Sequence, residues 1–312
     1  MTVSVLAKTK DIERAEWLEL RRQGIGGSDA PIVLGLSRYK SPVGLWLEKT
    51  GQIVPEEVGE YAYWGQRLED IVAGEFTLRT GLKVKRKNAI LTHSEYPFMI
   101  ANIDRMIVGE RAGLECKTTS AYRKDDWEGD NVPDAYYVQC QHYMAVTGYK
   151  TWYIACLIGG NTFVHKVVVR DDAFIERMIE VQKQFWDHVV NGTMPAVDGS
   201  DACADALKSL YPESNGKMVA LPAIAESFIT QYESAKQDED AAKLRKQEAQ
   251  HSLEELLGDN EIGQINGRAV NWKSRKAPER FDSKTFKVDF PDLHAKYAKV
   301  GEPSRWFSIK EM

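Results

Sequence analysis

The chain has no apolar run that approaches the roughly 18 consecutive residues a membrane-spanning helix needs. Its opening, MTVSVLAKTKDIERAEW, also lacks the apolar core of a signal peptide. Together these absences lead us to expect a cytoplasmic protein with no membrane partner. Cysteine is scarce: Cys116, Cys140, Cys156 and Cys203 lie far apart with no CxxC pairing. That excludes the grouped thiolates of an iron–sulfur cluster and points to reduced thiols packed in strands and helices. The histidines (His93, His142, His165, His188, His251, His294) have no ligand spacing, so satisfied or exposed rings are expected. There is no basic excess either. A net charge of -5 and a pI of about 5.8 leave no general field for nucleic acid, although a local basic channel can exist on an acidic protein.

What is present is an ordinary folding composition. The 312 residues are 43% hydrophobic and 28% charged, which excludes a largely disordered chain and leaves room for one domain plus an appended module. Apolar spacing in residues 15–35 predicts a short helix, a glycine-rich turn, and a second helix capped by Ser28 and Asp29 with Pro31 in its first turn. A long amphipathic helix follows over 63–80, with Leu68, Val72 and Phe76 on one stripe and Gly81 stopping it. Residues 83–92, 99–108 and 113–118 read as an antiparallel meander. A helix over 134–147 places Tyr136, Gln139 and Tyr143 on one face. A hairpin turns at Gly159-Gly160-Asn161, and a helix runs from 172 to about 190. The sum is an α/β (α+β) domain, a mixed sheet flanked by helices with one helix acting as a crossover. Composition shifts after Pro195, so we divide the chain into a domain at 1–195, a linker or irregular segment at 196–216, and a C-terminal module at 217–312. In that module we expect a long charged helix over 223–257, a hairpin over Asn266-Gly267, short helices and a last strand, RWFSI.

The residues that carry chemistry are Asp104 in ANIDRMIV and Glu115-Cys116-Lys117 in GLECKTT. Period-two alternation puts Glu115 and Lys117 on one face of a strand, with Cys116 turned to the other. If this strand pairs with the run that Asp104 ends, two carboxylates and an ammonium meet at one end of the sheet. With the Cys116 carbonyl they form a hard-oxygen site suited to Mg²⁺ or Mn²⁺. A lysine beside such an ion can orient or help deprotonate water for phosphodiester hydrolysis. The spacing alone is weak, since an acid-x-Lys triplet is expected about twice by chance in such a chain. It occurs twice: Asp282-Ser283-Lys284 is the other instance, which we read as a helix cap. A solvated edge strand carrying an ion pair is the competing explanation of the first.

The surrounding blocks extend this pattern. Trp17, Leu20-Arg21 and Ser28 come first, Trp64-Gly65-Gln66 and Glu69 next, and Gln139-Cys140-Gln141 after the lysine. In this order and spacing the chain, over roughly residues 15–190, resembles the phage lambda exonuclease or YqaJ-like viral recombinase family of PD-(D/E)xK nucleases. The resemblance implies a restriction-endonuclease-like fold and assigns roles. Asp104 and Glu115 are metal ligands aided by the Cys116 carbonyl, and Lys117 is the catalytic lysine. Glu69 is the helix carboxylate that reaches the metal site, and Gln139 the active-site glutamine. Arg21 and Ser28 hold a terminal 5′-phosphate, and Arg123 contacts DNA. The chain departs from the lambda pattern at Thr118-Thr119, where a Cys-Pro pair is replaced, and its C-terminal module looks like that of longer YqaJ-like proteins.

The expected function is a Mg²⁺-dependent exonuclease (Mn²⁺ as an alternative ion) digesting linear double-stranded DNA from the 5′ end. The 3′ overhang would serve a single-strand annealing protein in a bacterial host cell, and a ring-shaped homotrimer is implied by the resemblance alone. An endonuclease, a nuclease of opposite polarity and a non-catalytic DNA-end binder are the competing readings. Three further features carry bland alternatives: Gly24-Ile25-Gly26-Gly27 as a plain turn, Trp127, Tyr136 and Tyr137 as core, and Lys83-Lys85-Arg86-Lys87 as a solvated strand edge.

Overall fold

The computed structural model describes residues 4–10, 12–54, 59–299, 301 and 305–310. The chain forms two compact units, Met1–Tyr211 and Pro212–Met312.

The first unit opens with β1 (Ser4–Lys8) and α1 (Arg14–Arg22), followed by the single-turn α2 (Ala30–Val33) and by α3 (Pro42–Lys49). Ser41 caps α3 by accepting from the Gly44 amide, with Pro42 in the first turn. The long helix α4 (Glu60–Thr80) buries Val72, Ala73 and Phe76, close to the expected stripe, and stops at Gly81. The expected meander is cut into shorter pieces: β2 (Val84–Lys85), β3 (Ala89–Thr92), β4 (Ile100–Asn102), β5 (Arg105–Ile107) and β6 (Ala112–Thr119). These pieces belong to two sheets. β1, β3 and β4 form one, while β2 and β5 join the larger sheet. The run 99–108 therefore changes sheets at Ile103-Asp104, a break that apolar alternation cannot register.

From β6 the chain passes through two short 3-10 turns into α5 (Asp134–Thr147), then β7 (Thr151–Ile158), β8 (Thr162–Val169) and α6 (Asp172–Asn191). The larger sheet has the order β2-β5-β6-β7-β8, with β6 and β7 parallel and the other pairs antiparallel. α5 is thus the crossover expected from the sequence. Alternation along β6 and β7 gives the sheet two dry faces. Trp152, Ile154 and Cys156 pack with Val138, Cys140 and Met144 of α5. Leu114 and Ala155 pack with Val72, Ala73 and Phe76 of α4. The four cysteines are free, and His142 is buried with Nε2 at 2.9 Å from the Ile100 carbonyl and Nδ1 at 3.2 Å from Gln182 Nε2.

The segment expected as a linker corrects the boundary. Residues Asp201–Leu210 form α7, capped by Ser200. Its Cys203 and Ala206 are buried in a third cluster with Val43, Leu45, Trp46 and Phe185. Polar and small residues made this stretch look irregular, but buried Cys203 and Ala206, with the partly buried Leu207 and Leu210, seat it on that cluster.

The second unit contains α8 (Ala225–Leu257), the hairpin β9 (Ile262–Ile265) and β10 (Arg268–Asn271), and the short helices α9 (Ser283–Asp289) and α10 (Pro291–Tyr297). Asn266 (φ 48°) and Gly267 (φ 75°) both take the left-handed backbone that a two-residue hairpin turn requires. Asp282 caps α9 as expected, accepting from the Lys284 and Thr285 amides. The expected strand at 305–309 does not form; those residues have no regular secondary structure. No helix among the described residues is long and apolar enough to cross a membrane.

Candidate active site

Asp104 sits where the chain leaves β4 for β5, and Glu115 and Lys117 share one face of β6. Antiparallel pairing of β5 with β6, Arg105 opposite Leu114, brings the break beside the strand. Asp104 Oδ2 accepts from the Cys116 amide at 3.0 Å. Lys117 Nζ lies 2.5 Å from Glu115 Oε1 and 5.1 Å from the Tyr136 ring centroid. Gln139 on α5 donates to Glu115 Oε1 at 2.6 Å and to the Tyr143 hydroxyl at 2.8 Å. Glu115 is 2% exposed, so the competing picture of a solvated edge strand does not describe it.

These groups are electrostatically coupled. Burial, then the neighbouring Glu115, push the Asp104 carboxyl well above the ordinary carboxylate range, while Lys117 and the Cys116 amide pull it down. Burial alone would lower the Lys117 ammonium, but Glu115 and Asp104 outweigh it and hold the group above its usual value. Two carboxylates forced together with one ammonium leave negative charge uncompensated. Glu115 Oε2 is buried and has no hydrogen-bond partner among the described residues, a costly state for a carboxylate oxygen. A divalent cation would satisfy it, so this donor set fits Mg²⁺ or Mn²⁺. Among the described residues no three His, Cys, Asp or Glu side chains converge tightly enough to hold a metal alone. Asp104, Glu115 and the Cys116 carbonyl would hold the ion with water filling the remaining positions, the usual arrangement for Mg²⁺.

Glu69 is drawn to a different partner. Its Oε1 is bound by Arg105 Nη1, while Arg105 Nη2 reaches Asp70 Oδ1 at 2.5 Å. Arg105 is 4% exposed, so it fixes one oxygen of the Glu69 carboxylate next to the site, where Glu69 also raises the Asp104 carboxyl. Arg123 lies on a turn after β6, paired with Asp126 at 2.6 Å. It is not among the residues lining the central pocket.

That pocket joins two regions far apart in sequence: Asp104, Glu115, Gln139 and Tyr143 line it together with Trp17, Arg21, Gly26, Gly27 and Ser28. Arg21 Nη2 donates to Ser28 Oγ at 3.2 Å and to Asp29 Oδ1 at 2.8 Å, and its guanidinium lies 5.0 Å from the Trp17 ring centroid. Asp29 does not serve as the side-chain cap expected from the sequence. Its Oδ2 instead accepts from Lys49 Nζ at 2.7 Å and from the Gly26 amide at 3.0 Å. Burial would raise the Asp29 carboxyl, but Lys49 and Arg21 dominate and hold it well below the ordinary range. The buried ion Asp29 therefore fixes the direction of Arg21. Lys49 gave no signal in the sequence, because only folding of α3 brings it to a partner 20 residues away.

Close packing explains the glycine-rich turn. A Cβ on Gly27 would stand 2.4 Å from Tyr143 Cε1, so this glycine admits an aromatic ring that lines the site. Trp127 is 3% exposed and lies beside Tyr136 with ring centroids 5.7 Å apart, the core arrangement. In the basic cluster, Arg86 pairs with Asp70 at 2.6 Å and Lys85 lies on the end strand of the sheet, as a solvated edge would.

Residues 16–150 match the model of the YqaJ-like viral recombinase domain. The chain is 47% identical over 313 residues to the uncharacterised protein YqaJ of Bacillus subtilis (strain 168), covering 99% of this chain and 98% of that one. Among solved structures it is similar to an alkaline exonuclease (LHK-Exo) from Laribacter hongkongensis, with TM-score 0.49, 18% identity and coverage of 57% of this chain and 93% of that one. A phage-related exonuclease from Haemophilus somnus 129PT is similar with TM-score 0.42, 12% identity and coverage of 54% and 96%.

Proposed function

Because the chain belongs to the YqaJ-like viral recombinase family, we propose that it is a metal-dependent exonuclease that degrades one strand of linear duplex DNA from its 5′ end. The carrying observation is that Arg21 and Ser28 line the same pocket as Asp104 and Glu115. A guanidinium and a hydroxyl held together form a cradle for a phosphate. A terminal phosphate carries more charge than an internal diester, so the cradle favours an end. With that phosphate bound, the next diester faces the paired carboxylates, and each cut releases a nucleotide from the 5′ side.

Asp104 and Glu115, with the Cys116 carbonyl, would hold Mg²⁺ or Mn²⁺, which supplies electrophilic activation of the phosphoryl oxygen and of water. Lys117, kept protonated by its two carboxylate neighbours, orients the attacking water and donates to the charge that develops on the phosphorane oxygens. Gln139 keeps Glu115 aimed into the site through their hydrogen bond. The ring-shaped homotrimer, the single-strand annealing partner and action on DNA in the cytoplasm of a bacterial host belong to the same proposal.

The decisive experiment is digestion of a linear duplex labelled separately at each 5′ and 3′ end. Early loss of the 5′ label as mononucleotide, faster for 5′-phosphate than for 5′-hydroxyl, is the expected result. Removing the charge-assisted hydrogen bond with Arg21→Ala should erase most of that difference, worth about tenfold to hundredfold. Equal rates on both ends would assign Arg21 and Ser28 another role, and cleavage of a circular plasmid would make the protein an endonuclease.

A further inference from the structure

The second unit holds a concentration of positive charge that the acidic chain as a whole conceals. Between Arg268 and Lys287 there are seven Lys or Arg against two Asp or Glu, in a chain of net charge -5. All seven cations are exposed, and among the described residues none of them is in an ion pair. One of the two acids is already committed, since Asp282 accepts from the backbone and hydroxyl of Thr285 to cap α9. Four of the cations, Lys273, Arg275, Lys276 and Arg280, lie on the stretch between β10 and α9, which has no regular secondary structure.

Aromatic side chains bracket that stretch. Trp272 is 49% exposed, and Phe281, whose ring centroid lies 4.9 Å from that of Phe286, is still 72% exposed, so aromatic surface reaches solvent at both ends of the cationic run. Unpaired cations alone would suit any polyanion. Cations interleaved with open aromatic faces suit one whose bases are unpaired, because a duplex hides those faces in its own stack.

We propose that the strip from Arg268 to Lys287 is an accessory site for single-stranded DNA, with Lys and Arg on the phosphates and Trp272 and Phe281 under the bases. The inference goes beyond the nuclease reading and does not depend on it, since binding requires no hydrolysis. The test uses the full chain in EDTA and measures fluorescence anisotropy of a labelled oligo-dT and of a blunt duplex at rising salt. Charge reversal in K273E/R275E/K276E should weaken oligo-dT binding about tenfold or more. It should also flatten the salt dependence by about 2 in the log–log slope, at roughly 0.7 for each phosphate no longer neutralised. Trp272→Ala should weaken oligo-dT about fivefold or more and leave the duplex unchanged, and K273R/K276R should bind as the parent does. If the triple variant fails to fold by circular dichroism, the Trp272→Ala comparison still decides. Unchanged oligo-dT affinity in the reversed or Trp272→Ala protein overturns the proposal. So does oligo-dT binding that survives reversal while binding of polyglutamate disappears, which would mark a surface for acidic protein.

Discussion

Lys117 is the residue whose replacement separates chemistry from binding. Its ammonium bonds Glu115 and sits over the Tyr136 ring, while Arg21 is held separately, by Ser28 and Asp29. Lys117→Ala should therefore abolish hydrolysis and leave DNA-end binding largely intact, as measured by single-turnover assay and by filter binding in the same preparation. Near-normal turnover in the folded variant would remove Lys117 from the mechanism. Asp29 acts one step back, through Arg21. Asp29→Asn removes the negative charge that aims the guanidinium and strands Lys49, which is buried with it. We expect stability to fall by about 3 kcal/mol in urea unfolding. The rate advantage of a 5′-phosphate end should also shrink towards that of Arg21→Ala. A variant that loses stability but keeps the full preference would make Asp29 a packing residue only.

At the scale of elements, the join between the glycine-rich turn and α5 couples packing to chemistry. A methyl at Gly27 would press on Tyr143, whose hydroxyl accepts from the glutamine that holds Glu115. Gly27→Ala should cost about 1–3 kcal/mol through overpacking and should also slow hydrolysis in the protein that remains folded. Unfolding midpoint and turnover on one sample would show whether the two losses occur together. α5 also carries a pH response. Burial pushes the His142 ring down to about 4, whereas an unfolded histidine titrates near 6.5. Between those values the unfolded chain binds more protons, so stability is complete above about pH 6.5 and declines as pH falls towards 4. The decline should reach on the order of 3 kcal/mol. His142→Gln should be less stable than the parent at pH 7 and should change less between pH 7 and 5 in urea titrations.

At the scale of the whole molecule, the boundary between the units decides what can be removed. All the proposed ligands and the phosphate cradle lie in Met1–Tyr211, and α7 completes that unit by burying Cys203 and Ala206. Residues 1–211 should fold cooperatively and retain nuclease activity, with DNA affinity or assembly altered. Residues 1–195 should be markedly less stable, because Val43, Leu45 and Trp46 lose the helix that covers them. Thermal unfolding and end-labelled digestion of both truncations would check this. A folded but inactive 1–211 fragment would mean that the second unit completes the active site.

Local physics was legible in the chain. The α4 stripe, the Asn266-Gly267 hairpin, the Asp282 cap and the crossover helix α5 follow from apolar period, turn conformation and capping, all properties of neighbouring residues. The side of β6 that bears Glu115 and Lys117 was legible for the same reason, since alternation in a strand is fixed by its pleat. Contacts between distant segments were not. The switch of sheets at Asp104 depends on which strand each short run finds as a partner. The capture of Glu69 by Arg105 depends on α4 packing on the sheet, and that of Asp29 by Lys49 depends on α3 meeting α2. α7 looked like a linker because its fully buried residues are two small ones among polar neighbours. Sequence periodicity records which face of an element is apolar, and only tertiary packing decides which element that face meets.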